Sequence, residues 1–160
     1  MSTIKKFLNL IFIDGLSGMA LGLFSTLIIG TILKQIADLI GGDFGYYLGV
    51  FAVIAQRLTG AGIGIGVAYK YKSSTYVTLS AAAAGMIGAY ATTIISGSIL
   101  SDGALVYSGP GDPLSAFIAA LAGIAIGSLP AGKTKLDLLI TPAVTIITGG
   151  AAGIIVGPPV

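Results

Sequence analysis

Gln56 and Arg57 stand side by side within an otherwise apolar stretch, residues 44–69, and Thr59-Gly60-Ala61-Gly62 follows them almost directly. A guanidinium presents five donors in a fixed fork, suited to adjacent hydroxyls or to a phosphate. Surrounded by hydrocarbon, it costs several kcal/mol unless it reaches water, a carboxylate or backbone carbonyls. A helix broken at these glycines would bare backbone dipoles beside the arginine, an arrangement found near the midplane of transporters. Gln56, Arg57 and Thr59 are therefore candidate substrate-binding residues. The other reading is that the stretch is two elements and that Arg57 snorkels from an interface to lipid phosphates.

Asp112 and Thr141 complete the set of candidates, each with a mechanical alternative. Asp112 before Pro113 reads as an N-cap followed by proline at the first helical position. The free N–H groups of that same helix end could instead receive an anionic or hydroxyl-rich ligand. Thr141 precedes Pro142, which lies in a first turn or sets a kink, with the hydroxyl satisfying the backbone groups that proline frees; a substrate contact is the alternative.

Little other chemistry is available. The chain contains no histidine, cysteine or glutamate, which removes the usual general base, thiolate chemistry and the commonest metal ligands. Its six aspartates are spread singly, so spacing picks out no carboxylate pair for acid–base work. No catalytic residue, metal site or cofactor is expected.

The elements that must hold these side chains are membrane helices. Hydrophobic residues make up 55% of the 160 and charged residues 9%, and the mean hydropathy is +1.01, far outside soluble domains. Apolar runs near 16–33, 44–69, 75–96, 114–129 and 138–156 approach the roughly 20 residues that a crossing needs. They predict an all-α integral membrane protein of about five transmembrane helices in a single domain, 1–160. The first span is expected to stop at Lys34. Residues 44–69 are either one tilted helix or a broken or re-entrant pair. Residues 1–14, with Lys5 and Lys6, read as a retained interfacial helix.

Short-loop lysines are held on the cytoplasmic side. With the N-terminus inside, Lys5, Lys6, Lys70, Lys72, Lys133 and Lys135 lie inside and Lys34 outside, and five crossings put the C-terminus outside. The net charge of +2 reflects this topology and gives no dense basic patch for nucleic acid. Tyrosines near span ends, Tyr46, Tyr47, Tyr69, Tyr71, Tyr76 and Tyr107, read as an interfacial belt.

Glycine pairs one turn apart recur at Gly18/Gly22, Gly45/Gly49, Gly60/Gly64, Gly62/Gly66, Gly123/Gly127 and Gly149/Gly153, with Gly150 beside the last pair. In lipid, such small residues let helix backbones touch. They predict either tight bundling within the chain or a face for a second copy.

The run Leu16–Leu33, the loop Gly109-Pro110-Gly111-Asp112-Pro113, the stretch Gly132-Lys133-Thr134-Lys135-Leu136-Asp137, Thr141-Pro142 and Gly157-Pro158-Pro159 together resemble the phosphotransferase-system EIIC-like family, whose members include sugar-permease components and predicted toxin regulators. The resemblance implies a bacterial inner-membrane component that binds a sugar or similar polar solute and passes it inward, where a separate cytoplasmic IIB phosphocarrier phosphorylates it. It also implies about half of a full-length member. Five crossings are an odd-numbered unit, so the chain reads as one half of an inverted-repeat-type transporter, completed by a complementary membrane half or assembled as a parallel homo-oligomer, since the lysine bias argues against insertion in both orientations. A non-transporting regulatory or assembly module is the alternative.

The topology can be tested directly, since the chain has no cysteine of its own. Single cysteines at Ser2, Ser73 and Ser101, probed with an impermeant thiol reagent in intact cells, should label at Ser101 alone. Strong labelling at Ser2 or Ser73 reverses the assignment.

Overall fold

In the computed structural model, which describes residues 2–107, 109–133 and 135–157, the chain is helical from Ser2 to Ile40 without interruption. This helix, α1, holds 39 residues and is about 58 Å long at the standard helical rise. Residues 2–14 and the span 16–33, read as separate elements from the sequence, are joined in one. Leu10–Gly15 and Phe24–Ile28 are wound as π-helix within it, a form that appears inside α-helices as single-turn bulges. Lys34 does not stop the helix. Its ammonium pairs with Asp38 one turn on at 2.8 Å, and the stop comes at Gly41 and Gly42, whose φ angles of 67° and 65° glycine adopts at least cost.

Helix α2 (Gly42–Arg57) returns along the end of α1, and α3 (Thr59–Lys70) follows after a bend of 54° at Leu58. Of the two forms open for 44–69, the chain takes the broken one. Helix α4 (Thr75–Ala89) starts at Ser74, whose hydroxyl accepts from Val77 N at 3.4 Å. A second break at Tyr90 separates α4 from the short α5 (Ala91–Ile95). Strands β1 (Leu100–Ser101) and β2 (Ala104–Leu105) then form a two-residue hairpin around Asp102-Gly103, both at positive φ as a type I′ turn requires. Helix α6 (Pro113–Gly127) and helix α7 (Asp137–Val156) close the chain, and Pro142 sits inside α7. Ser108, Thr134, Pro158 and Pro159 of the sequence motifs lie outside the described residues.

The protein is an all-α membrane protein. Among the described residues, α1 and α7 are long and apolar enough to cross a bilayer, and the bent pair α2–α3 is a third span if taken as one. Helices α4 and α6 have 15 residues each, short of the roughly 20 for a straight crossing. The break at Tyr90 is what shortens the run read as 75–96.

Small residues decide the packing. On one face of α3, Gly62 and Gly66 lie against Gly22 and Gly18 of α1; on the other, Gly60 and Gly64 lie against Gly85 and Ala81 of α4. A methyl on Gly60 would fall 2.8 Å from Gly85 O, closer than carbon and oxygen approach. Gly88 of α4 touches Ser115 and Ala116 of α6, and also Gly153 of α7. Gly123 and Gly127 of α6 face Thr145 of α7, Gly149 faces Ala119, and Gly150 faces Ile87. The recurring glycines are thus engaged within the chain, as tight bundling requires. Ile63, Val67 and Val77 are wholly buried between these contacts. Large apolar side chains elsewhere point outward, as with Leu39 at 87% and Ile155 at 72% exposure, the surface a lipid-embedded bundle presents.

At the other end of α3, the Tyr71 hydroxyl donates to Leu10 O at 2.8 Å and ties the turn after α3 to the first π segment. Burial, and secondly the Asp14 carboxylate, push this phenol above its ordinary pKa, so the donor form persists to higher pH than in a free tyrosine.

Two glycines should respond oppositely to an added methyl. Gly64→Ala meets Ala81 O and should destabilise the bundle by about 1–3 kcal/mol. Gly49→Ala meets only the Ala37 methyl at 3.7 Å and should be neutral, or stabilising by up to about 1 kcal/mol, because it removes a mid-helix glycine. Thermal denaturation of both variants in detergent checks the pair.

Candidate functional site

The two helix breaks lie at one level of the bundle, because Gly60 of α3 packs on Gly85 and Ala89 of α4 just beside them. At the first, Leu58 has φ −90° and ψ 10°, and its N–H is shared between Ile54 O and Ala55 O at 3.2 Å. The carbonyls near the bend find side-chain donors: Thr59 Oγ1 donates to Gln56 O at 2.6 Å, and the Tyr90 hydroxyl lies 3.3 Å from Arg57 O. At the second, Tyr90 has φ −112° and ψ 24°. Ala89 O there accepts from Asp112 N at 2.8 Å, which brings the loop before α6 down onto the end of α4. Gly111 makes this approach possible: its φ is 77°, and a Cβ would lie 2.7 Å from Ala89 O.

Tyr90 joins the two breaks. Its hydroxyl also reaches Gly109 O more closely than Arg57 O, and with a single proton it donates to one of the two at a time. The ring is 5% exposed and meets the Tyr107 ring at a centroid distance of 4.7 Å and an angle of 52°. The Arg57 guanidinium carbon stands 5.8 Å from the Tyr107 centroid, within cation–π reach. Among the described residues no carboxylate pairs with Arg57; the ion pair there is Lys34–Asp38.

Arg57 is exposed and forms the end of a groove of about 590 Å³ between the last turns of α1 and helix α2, whose other lining residues include Lys34, Asp38 and Tyr46. Gln56, half-buried, donates from Nε2 to Thr31 Oγ1 at 3.2 Å. Thr59 is fully buried. Asp112 caps α6: one oxygen accepts from Leu114 N at 3.1 Å and the other from Ser115 Oγ at 2.6 Å, with Pro113 in the first turn.

The structure therefore brings Gln56, Arg57, Thr59 and Asp112 to one end of the bundle. Thr141 is at the other. Helices α6 and α7 run antiparallel with Gly127 beside Thr145, so Thr141 lies past the far end of α6, about 22 Å from Asp112 by helix length. It is fully buried, donates to Asp137 Oδ1, and its carbonyl accepts from Thr145 Oγ1 at 2.8 Å. Gly60 packs at the break itself; Gly62, Gly66, Gly123, Gly127, Gly149 and Gly150 are packing positions along the helices. Pro142 is the sixth residue of α7, beyond the first turn, and the helix continues through it.

Tyr90 is the residue the sequence did not single out. Its signal was a phenol in a run made otherwise of small and apolar residues and two threonines, 81–95. Tyr107, read as part of an interfacial belt, packs on Tyr90 beneath Arg57.

The arrangement offers hydrogen-bond donors and a fixed positive charge. Among the described residues, no group of three or more histidine, cysteine, aspartate or glutamate side chains could hold a metal. No curated protein and no solved structure matches the chain. The family model described as "Phosphotransferase system, EIIC" matches residues 13–160, nearly the whole of it. With its apolar helices and glycine-packed bundle, the chain belongs to the phosphotransferase-system EIIC family.

Proposed function

We propose that this chain is the membrane component of a sugar permease, binding a polyhydroxylated solute at the level of the two helix breaks and passing it inward to a cytoplasmic IIB phosphocarrier. The observation that carries the reading is the meeting of breaks at Leu58 and Tyr90 beside Arg57 in a chain of the EIIC family. Non-helical backbone at membrane depth is tolerated where it is buried in protein or lines a cavity, and transporter sites are built at such interruptions. Arg57 supplies the charge and the forked donors, with Gln56 beside it; Thr59 and Asp112 hold the backbone on either side. Thr141, a helix length away, belongs to a different stage of the path or to none.

Five crossings in the bacterial inner membrane, N-terminus inside and C-terminus outside, are part of the same proposal. So is completion of the site by a second membrane unit, either a complementary half or a second copy. Arg57 is exposed along the α1–α2 groove rather than enclosed, which supports a site closed by another surface.

A specific observation favours a second reading, a non-transporting regulatory or assembly module. Among the described residues every buried side-chain polar atom has a partner within the chain, so the single bundle keeps no enclosed donor free for a solute.

Substitutions at Arg57 separate the two. Arg57→Lys keeps the charge and loses the fork, and should weaken sugar binding about tenfold; Arg57→Met should weaken it about a hundredfold. Ligand-dependent thermal shifts across a sugar panel, on wild type and both variants reconstituted in lipid, provide the measurement. If no sugar stabilises wild type, or if both variants respond as it does, the module is the better account.

A further inference from the structure

The lysine-rich end of the bundle holds a cavity of about 700 Å³ that none of the candidate site residues lines. It lies between the first turns of α1, the α3–α4 turn and the last turns of α6. Its size falls in the range of about 300–1,000 Å³ typical of ligand pockets. Phe7, Ile11, Leu121 and Ile124 form apolar walls, and Lys72 and Ser73 form a polar edge. Among the described residues no acidic one lines it; Asp14 is the carboxylate whose charge acts on Tyr71.

The backbone at Lys72 adds an independent observation. Helix α3 ends with Lys72 N bonded to Tyr69 O at 3.1 Å and Ser73 N bonded to Ala68 O at 3.0 Å, the paired bonds of a Schellman cap. That cap puts Lys72 in the left-handed region, φ 54°, where glycine is the ordinary choice. The chain has 25 glycines and uses them at other positions of positive φ, including Gly97 and Gly132. Here it holds a lysine at some backbone strain, a pattern that clusters at ligand-binding positions. Lys70 is two residues away, and Lys5 and Lys6 are on the turn of α1 that carries Phe7.

Apolar walls alone would suit any hydrocarbon; a cation at their edge suits an amphiphile with an anionic head. We propose that this cavity binds an acyl chain of an anionic phospholipid, with its phosphate held by Lys72 at the α3–α4 turn. By the lysine distribution, the lipid comes from the cytoplasmic leaflet. The proposal is independent of whether the protein carries a sugar.

Native mass spectrometry of the full chain, offered equal amounts of palmitoyl-oleoyl phosphatidylglycerol and phosphatidylcholine, tests it. Wild type should retain one phosphatidylglycerol with about fivefold preference, the size expected for one lysine at a charged headgroup. Lys72→Gly relieves the strained turn, so it should fold at least as well while the preference falls to parity. Ala125→Phe, which fills the cavity, should lose the tightly held lipid altogether. Lys34→Gln, at the opposite end, should behave as wild type. Equal retention of both lipids by wild type, an undiminished preference in Lys72→Gly, or unchanged retention in Ala125→Phe overturns the proposal.

Discussion

The contact on which the rest of the bundle depends is the approach of α3 to α1 and to α4 at backbone distance. In a bilayer the hydrophobic effect does not drive helices together, so association rests on dispersion and on contacts between main-chain atoms. Both need the side chains out of the way. Helix α3 alternates its two glycine pairs: Gly60 and Gly64 serve one neighbour, Gly62 and Gly66 the other. Twelve residues are thereby clamped on two sides. Ile63 and Val67, carried between the glycines, fill the space that the close approach leaves.

That clamp explains why the breaks fall where they do. With α3 held against α4, the end of α4 lies beside the start of α3, and the carbonyls released at Gln56, Arg57 and Ala89 must be met locally. Thr59 and Asp112 meet the first and last, and the Tyr90 hydroxyl is shared between Arg57 O and Gly109 O. Each donor comes from a different part of the chain, and together they fix the position from which Arg57 extends over Tyr107. The polar features at this end are thus arranged around backbone satisfaction first, leaving the guanidinium as the group with capacity to spare.

Much of the helical layout was legible in the sequence, because apolar runs and their punctuation are local signals. Asp112-Pro113 marked the start of α6, and Thr59-Gly60-Ala61-Gly62 marked 44–69 as breakable. Lys34 was a poor marker for the end of α1: an i,i+4 carboxylate lets a lysine continue a helix, whereas Gly41-Gly42 ends it. The break at Tyr90 was not legible, since its cause is tertiary. Ala89 O turns to Asp112 N across an excursion of more than twenty residues, and Gly111 permits the approach. Nor could glycine spacing say which helix each pair would face. The pairing of Arg57 with Tyr107 likewise joins residues far apart in the chain.

The unbroken length of α1 has a mechanical consequence. Tyr71 fastens it at Leu10, and Gln56 fastens it at Thr31, points about 32 Å apart along the axis. With the close contacts at Gly18 and Gly22 between them, these two bonds hold one helix both to the lysine-rich turn after α3 and to the bend beside Arg57. The π segment Phe24–Ile28 lies between these two points, where Thr26 touches Gly62. The spacing between the two ends of the molecule is thus set by the length of a single element.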